Sequence, residues 1–170
     1  MDYFKIHDHA VNLIRACGTN DPFKITNWLD VEIEYGDFKS LKGFYSYYNE
    51  IGTIALNQNL DEITSRIICA HELGHDQLHK GTGTPIFRDD DCISNEKSVC
   101  ELEANFFTCE LLISDEKFLD LAYDGYSYSQ IASELEVHTE LAILKAHSLK
   151  NRGYDLNISD MPAANYLGSI

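Results

Sequence analysis

The sequence predicts an α+β fold in which a small three-stranded antiparallel sheet lies beside a helical core, followed by short, helix-turn-helix-like C-terminal helices. Two observations predict it. Residues 31–56 contain short alternating and aromatic-rich runs typical of strands, whereas residues 60–152 repeat apolar residues at helical spacing. The 170-residue length is enough to bury a core without disulfide bonds. We expect a main domain over residues 1–122 and a C-terminal helical region over residues 123–170 that packs on it.

The N-terminal elements are predicted to be two helices. The first covers Tyr3–Cys17, where apolar residues form a stripe on one face, and Gly18 is a natural end. The second runs from Asp21-Pro22 to Trp28, because aspartate caps helix N-termini and proline suits the first helical position.

Three strands are predicted next. Residues 31–35 alternate as VEIEY, which favours a half-buried strand. Residues 43–48 (GFYSYY) and 51–56 (IGTIAL) are rich in aromatic and β-branched residues, and Asn49-Glu50 lies between them as a hairpin turn. Together the three runs indicate a small antiparallel sheet.

The remainder is predicted to be helical. The longest helix is capped by Asn59, with Glu62 three residues later to complete a capping box, and it stops at Gly81. A loop over residues 81–95 follows. The apolar spacing then predicts four more helices: one over about residues 96–113, one that begins at Ser114-Asp115-Glu116, and two within residues 126–152 that break near Val137-His138.

The charge balance restricts the classes of partner. The chain has 13 Lys+Arg against 28 Asp+Glu, a formal net charge of −15. A field of this sign repels nucleic acids and anionic membranes. Residues 127–153, which contain a helix-turn-helix-like segment, hold three acidic and three basic residues, so they cannot neutralise several phosphates. We expect a protein partner and no direct contact with nucleic acid.

The sequence also predicts a cytoplasmic protein. Its N-terminus lacks the basic and apolar regions of a signal peptide, and no apolar stretch approaches the roughly 18 residues that a membrane span needs. The five cysteines are odd in number and include no CxxC pair. Reduced thiols in a cytosol fit this pattern better than a secreted disulfide framework.

The chemistry is predicted to lie in HELGH, residues 71–75. His71 and His75 are four residues apart, so both imidazoles lie on one helix face and can bind a single metal ion. Glu72 lies about 100° around the helix from His71, which can place its carboxylate beside a metal-bound water. Zn²⁺ suits the imidazoles and lowers the pKa of its bound water to about 7. Mn²⁺ or Fe²⁺ could also occupy a site with two histidines and one glutamate.

A catalytic zinc site needs a third protein ligand, and the next helix offers Glu101 or Glu103. We favour Glu101, because it shares an inward-facing helical stripe with Ala104 and Thr108. Asn105 follows four residues later, where its amide could reach the ligands. Glu103 lies about 200° around the helix from Glu101, towards the opposite side, so both cannot face one ion unless the helix bends.

The run HELGH and the downstream run ELEANFFTCELLIS resemble the ImmA/IrrE family of metallopeptidases, most strongly over about residues 60–120. The resemblance implies that His71, His75 and Glu101 bind zinc and that Glu72 is the general base. Family members often read E-x-x-A-N-x-F-A in the second helix. This sequence has Thr108 at the last of those positions and lacks the proline that often follows the Leu-Leu pair. The missing proline concerns the helix end and not the chemistry.

The resemblance also implies a function. ImmA-type members, carried by phages and conjugative elements, are zinc-dependent endopeptidases that cleave a phage-like helix-turn-helix repressor and derepress the genes of the element. The alternative is a non-proteolytic metal-containing module that captures a repressor or another protein. Glu72 argues against it, because a closed structural site has no use for a carboxylate beside an open position. The sequence leaves the scissile bond, the repressor and the oligomeric state open.

Two further questions concern titratable residues. His79 continues the histidine column, but it lies eight residues and about 12 Å along the helix from His71, too far to share the ion, so we expect a structural or surface role. Zinc peptidases often need a group that stabilises the oxyanion. The spacing selects none of the candidates: His147, Tyr47, Tyr48, Tyr126 and Tyr128.

Overall fold

The computed structural model describes residues 1–80, 95–164 and 166–167, and it has the predicted α+β fold. The elements in these ranges are α1 (Tyr3–Cys17), α2 (Pro22–Trp28), β1 (Glu32–Gly36), β2 (Gly43–Tyr48), β3 (Ile51–Asn57), α3 (Glu62–His79), α4 (Asn95–Leu112), α5 (Asp115–Tyr123), α6 (Tyr128–Glu134) and α7 (Thr139–Asn151). The predicted loop over residues 81–95 and the helix stop at Gly81 lie outside the described residues, apart from Asn95. Among the described helices, none is both long and apolar enough to cross a bilayer.

The two N-terminal helices begin and end where the caps predict. The carboxylate of Asp2 accepts the backbone N–H of Lys5 at 3.3 Å at the start of α1. Gly18 ends that helix in the left-handed region, with φ of 70°. The carboxylate of Asp21 accepts the N–H of Phe23 at 3.0 Å and caps α2. Local capping chemistry therefore explains these boundaries.

The sheet has three strands, as predicted, but it is mixed rather than wholly antiparallel. Its order is β1-β3-β2. Strands β2 and β3 form the predicted hairpin, in which Asn49 and Glu50 both have positive φ, 49° and 66°. Strand β1 pairs parallel to β3, from Glu32 opposite Thr53 to Gly36 opposite Asn57. The prediction of an antiparallel β1 is wrong, because alternation along a strand does not encode its partner. The chain places β1 on the far side of β3 instead of beside β2.

The helix that carries HELGH begins two residues later than predicted. Asp61 is its N-cap and accepts the backbone N–H of Thr64 at 2.9 Å and the Thr64 hydroxyl at 2.7 Å. Asn59 belongs to the preceding turn, where its N–H donates to the Asn57 side chain at 3.0 Å. Asn59 and Asp61 are both residue types that cap helices, but Asn59 forms the turn before α3, so Asp61 is the cap.

Helices α3 and α4 pack face to face and form the centre of the molecule. Gly74 permits the close approach, because a Cβ at this position would lie 3.2 Å from both Cα and the carbonyl oxygen of Ala104. The fully enclosed ring of Phe107 on α4 also lies against this glycine, 3.2 Å from the same Cβ position. This packing holds the HELGH segment against the helix that carries Glu101.

A buried charge cluster joins α1, α4 and the C-terminal helices. The Glu110 carboxylate on α4 accepts hydrogen bonds from Lys145 Nζ at 2.8 Å and from His7 Nδ1 at 2.7 Å. Arg152 forms a two-pronged pair with Asp115, at 2.7 and 2.9 Å. Helix α7 is thereby anchored to α4, and α6 packs on α7 across the predicted break, where His138 precedes α7 as its N-cap.

Candidate metal centre

Helix α3 buries the whole HELGH segment against its neighbours. His71 and His75 are only 1% and 3% exposed, and Glu72 is 7% exposed. Strands β2 and β3 cover α3 on one side and α4 covers it on another. The polar residues of the motif therefore lie in a low-dielectric setting, where charge interactions are strong.

Three potential ligand atoms converge beside this helix. The Nε2 atoms of His71 and His75 are 3.3 Å apart. The Glu101 carboxylate lies 3.3 Å from His71 Nε2 through one oxygen and 3.5 Å from His75 Nε2 through the other. Zinc–ligand bonds of about 2.0–2.1 Å place tetrahedral ligands about 3.3 Å from one another. The three residues thus fit one face of a zinc coordination tetrahedron, and they form a group able to hold a metal ion.

The protonation tendencies agree with metal binding. Burial and, to a smaller extent, the neighbouring His71 together lower the pKa of His75 to about 3, so the Nε2 lone pair is available at neutral pH. For His71, burial lowers the pKa but is outweighed by a hydrogen bond with Glu101 and by the charge of Glu72, so the net shift is upward. A metal ion would replace that proton as the partner of the carboxylates.

Glu72 is not one of the three residues whose potential ligand atoms converge. Burial raises its pKa to about 7, against the opposing charge of His71, and the charge of Glu101 raises it as well. A hydrogen bond from the backbone N–H of Tyr45 holds the carboxylate and lowers its pKa in part. A carboxyl group that titrates near neutral pH can both accept and release a proton, as a general base and acid must.

Glu101 and Glu103, the two candidate third ligands, contact different residues of α3. It brings Glu101 to the two histidines of HELGH, and it places the Glu103 carboxylate 3.2 Å from His79 Nε2. Glu103 is not on the far side of the helix as predicted, because the histidine column of α3 continues to His79 and the long glutamate side chain reaches it. His79 itself is buried, at 9% exposure, and its Nδ1 lies 3.1 Å from His75 Nδ1.

Asn105 lies next to the site as anticipated. It is fully buried, its side chain raises the pKa of His71, and its amide nitrogen donates to the Ala164 carbonyl at 2.5 Å. Tyr45 was not predicted as a site residue, yet its backbone contacts Glu72 and its hydroxyl donates to Asp76 at 2.6 Å. The sequence contains one signal for such a residue: Glu72 and Asp76 lie one helical turn apart on the same face of α3, so a single residue packed on that face can contact both.

The five candidates for an oxyanion-stabilising residue differ in their contacts and exposure. His147 Nε2 is 2.8 Å from the Ser159 carbonyl, and the Tyr128 hydroxyl donates to the Asn157 carbonyl at 2.5 Å, so both are engaged with the C-terminal segment. The ring of Tyr47 lies 4.9 Å from Lys80 Nζ. The two remaining tyrosines are exposed: Tyr48 and Tyr126.

Comparisons with known proteins find a family and relatives that this chain resembles. A peptidase family described as the IrrE N-terminal-like domain matches residues 28–147. The chain is 33% identical over 151 residues to "Uncharacterized immunity region protein 2" of Bacillus phage phi105, which covers 88% of this chain and 94% of that protein. It is 30% identical over 155 residues to "Metallopeptidase ImmA" of Bacillus subtilis (strain 168), which covers 87% of this chain and 89% of that protein.

Proposed function

The chain belongs to the ImmA/IrrE family of metallopeptidases, and from that premise we propose that it is a zinc-dependent endopeptidase that cleaves a helix-turn-helix repressor. The observation that carries the proposal is the convergence of His71, His75 and Glu101 within 3.3–3.5 Å of one another, beside a buried Glu72. The names of two relatives, one an immunity region protein of a phage and one a metallopeptidase, support a metallopeptidase of a phage immunity region; the repressor as its substrate is our proposal.

Glu72 is the general base in this proposal, and His71, His75 and Glu101 hold the metal. When bound, zinc would polarise the peptide carbonyl and lower the pKa of a water molecule at the site. Glu72 removes a proton from the attacking water and delivers it to the amine nitrogen as the C–N bond breaks. The raised pKa of Glu72 and its hydrogen bond from Tyr45 support this role.

The free edge of β2 is the proposed contact for the substrate backbone. In a hairpin with a two-residue turn, Tyr48 and Ile51 form a hydrogen-bonded pair, so alternate β2 residues direct their backbone groups away from β3. Tyr45 is one of these, in agreement with its N–H reaching Glu72. Within the described ranges no strand pairs with this edge. An extended peptide added beside β2 would run past the general base.

The test is cleavage of the repressor encoded beside the gene for this chain. Purified protein with Zn²⁺ or Mn²⁺ is incubated with that repressor, next to a Glu72→Gln variant as control. We expect fragments from the wild type alone, and an unchanged zinc affinity and melting temperature for Glu72→Gln. A fully active Glu72→Gln would contradict the role of this residue. An intact repressor held in a stable complex by both proteins would replace cleavage with capture.

A further inference from the structure

His79 and Glu103 form a chain of side chains that ends on the proposed ligand His75. The three histidines lie four residues apart on α3, and their ring centroids are 4.8 Å (His71 to His75) and 5.3 Å (His75 to His79) apart. The far nitrogen of His75, Nδ1, is 3.1 Å from His79 Nδ1. The other nitrogen of His79, Nε2, is 3.2 Å from Glu103 Oε2.

From this geometry we infer that His79, held by Glu103, is a positioning residue that fixes the tautomer and ring orientation of the metal ligand His75. The inference rests on the metal site of the proposed function. It assigns a role to the last histidine of the column, outside the HELGH motif itself.

The donor and acceptor roles along this chain follow from the metal-facing end. His75 Nε2 faces His71 Nε2 and Glu101, so it must carry a lone pair in order to bind an ion. Its proton then lies on Nδ1 and is donated to His79 Nδ1. His79 must in turn carry its proton on Nε2, from which it donates to the Glu103 carboxylate. The direction of each hydrogen bond follows from the one before it, and the Glu103 carboxylate accepts the last one.

This arrangement orients a ligand in the way that outer hydrogen-bond partners do at metal sites. Such partners hold the imidazole plane and raise the basicity of the ligating nitrogen, and their loss typically costs about 10–100-fold in metal affinity or activity. The burial of His79 strengthens the effect, because hydrogen bonds in a low-dielectric interior are stronger than in water. The same contacts show why His79 is not itself a ligand of this ion, since its nitrogens face His75 and Glu103.

The test compares variants that keep or remove the two hydrogen bonds. In His79→Gln the amide has one acceptor and one donor, as neutral histidine has, whereas His79→Leu has neither. His9→Leu is the matched control, because this exposed histidine also touches α3, through Gln77 at 3.0 Å, away from the ligands. Zinc affinity is measured by competition with a chromophoric chelator, and the ligand field is followed through the absorption spectrum of the Co²⁺-loaded protein.

We expect His79→Leu to lose about 10–100-fold in zinc affinity with an altered Co²⁺ spectrum. His79→Gln should recover most of that affinity, and His9→Leu should match the wild type. Wild-type affinity in His79→Leu would overturn the inference, and so would equal losses in His79→Gln and His79→Leu, which would mean that ring shape alone matters. If His79→Leu does not fold, Glu103→Leu and Glu103→Gln replace it as the pair that removes and keeps the final acceptor, with the same expected order and the same refutation.

This measurement distinguishes a failure of the inference from a failure of the proposed function. Zinc affinity needs no substrate, so the expected order of variants supports the positioning role even if the repressor is not cut. Cleavage with unchanged affinity in every His79 and Glu103 variant would leave the peptidase standing and remove the positioning role. A wild type that binds no zinc would overturn both.

Discussion

Glu110 is predicted to contribute strongly to stability at neutral pH and little in acid. Its side chain is 1% exposed and faces three donors: Lys145 at 2.8 Å, His7 at 2.7 Å and Ser148 at 2.5 Å. Burial raises its pKa, but the bond from His7 and the charges of Lys145 and Arg152 outweigh burial and lower the pKa from 4.5 to about 2. A shift of this size corresponds to about 3 kcal/mol of folding free energy.

Glu110→Gln keeps the size of the side chain and removes its charge. We expect a loss of about 3 kcal/mol at pH 7, at the lower end of the cost of breaking a buried pair, because Asp115 still pairs with Lys145 and Arg152. The folded pKa lies below the unfolded one, so the stabilisation is complete above about pH 4.5 and is lost as the pH falls towards about 2. At pH 3 the difference between wild type and variant should shrink to about 1 kcal/mol.

Urea unfolding at pH 7 and pH 3, with EDTA present so that metal loss does not contribute, measures both values. Glu134→Gln is the control, because Glu134 is exposed and should change the free energy of unfolding by less than about 0.5 kcal/mol. A Glu110→Gln variant as stable as the wild type at pH 7, or one equally destabilised at both pH values, would refute the reasoning.

Two further substitutions probe the surroundings of HELGH. Gly74→Ala should weaken zinc binding, because the added Cβ displaces the Ala104 backbone and with it α4, which carries the proposed ligand Glu101. The melting temperature should change little, because a helix-propensity gain of about 1 kcal/mol offsets the strain. A zinc titration that shows wild-type affinity would contradict this. Tyr45→Phe should lower the free energy of unfolding in urea by about 1–3 kcal/mol, because Asp76 loses a buried hydrogen bond of 2.6 Å. Tyr48→Phe is the control: Tyr48 is 72% exposed, so its change should be less than about 0.5 kcal/mol.

Local signals predicted the helices and the strands to within about two residues. The caps Asp21 and Gly18 and the turn Asn49-Glu50 act through neighbours in sequence, so their residue types are informative on their own. The false cap at Asn59 shows the limit of this reasoning, because a second capping residue followed two positions later.

The errors concern contacts between distant parts of the chain. Nothing in the VEIEY pattern could show that β1 runs parallel to β3, since pairing depends on a partner more than 15 residues away. Likewise the helical period placed Glu103 on the side of α4 away from α3, whereas the structure brings its carboxylate to His79, because the histidine column of α3 extends along α4. The choice of Glu101 over Glu103 stays a prediction, which the geometry favours.

The surroundings of helix α4 explain why the sequence could favour Glu101 as the third ligand but could not predict the partner of Glu103. Three of its glutamates face different partners: Glu101 the histidines of HELGH, Glu103 the end of the histidine column, and Glu110 the buried cations. A helix covered on several sides has no single apolar stripe from which to read its orientation. Glu110 follows Glu101 by nine residues, which is about 13.5 Å along one rigid helix. The charge cluster that anchors α7 therefore also fixes the helix that carries the proposed third ligand.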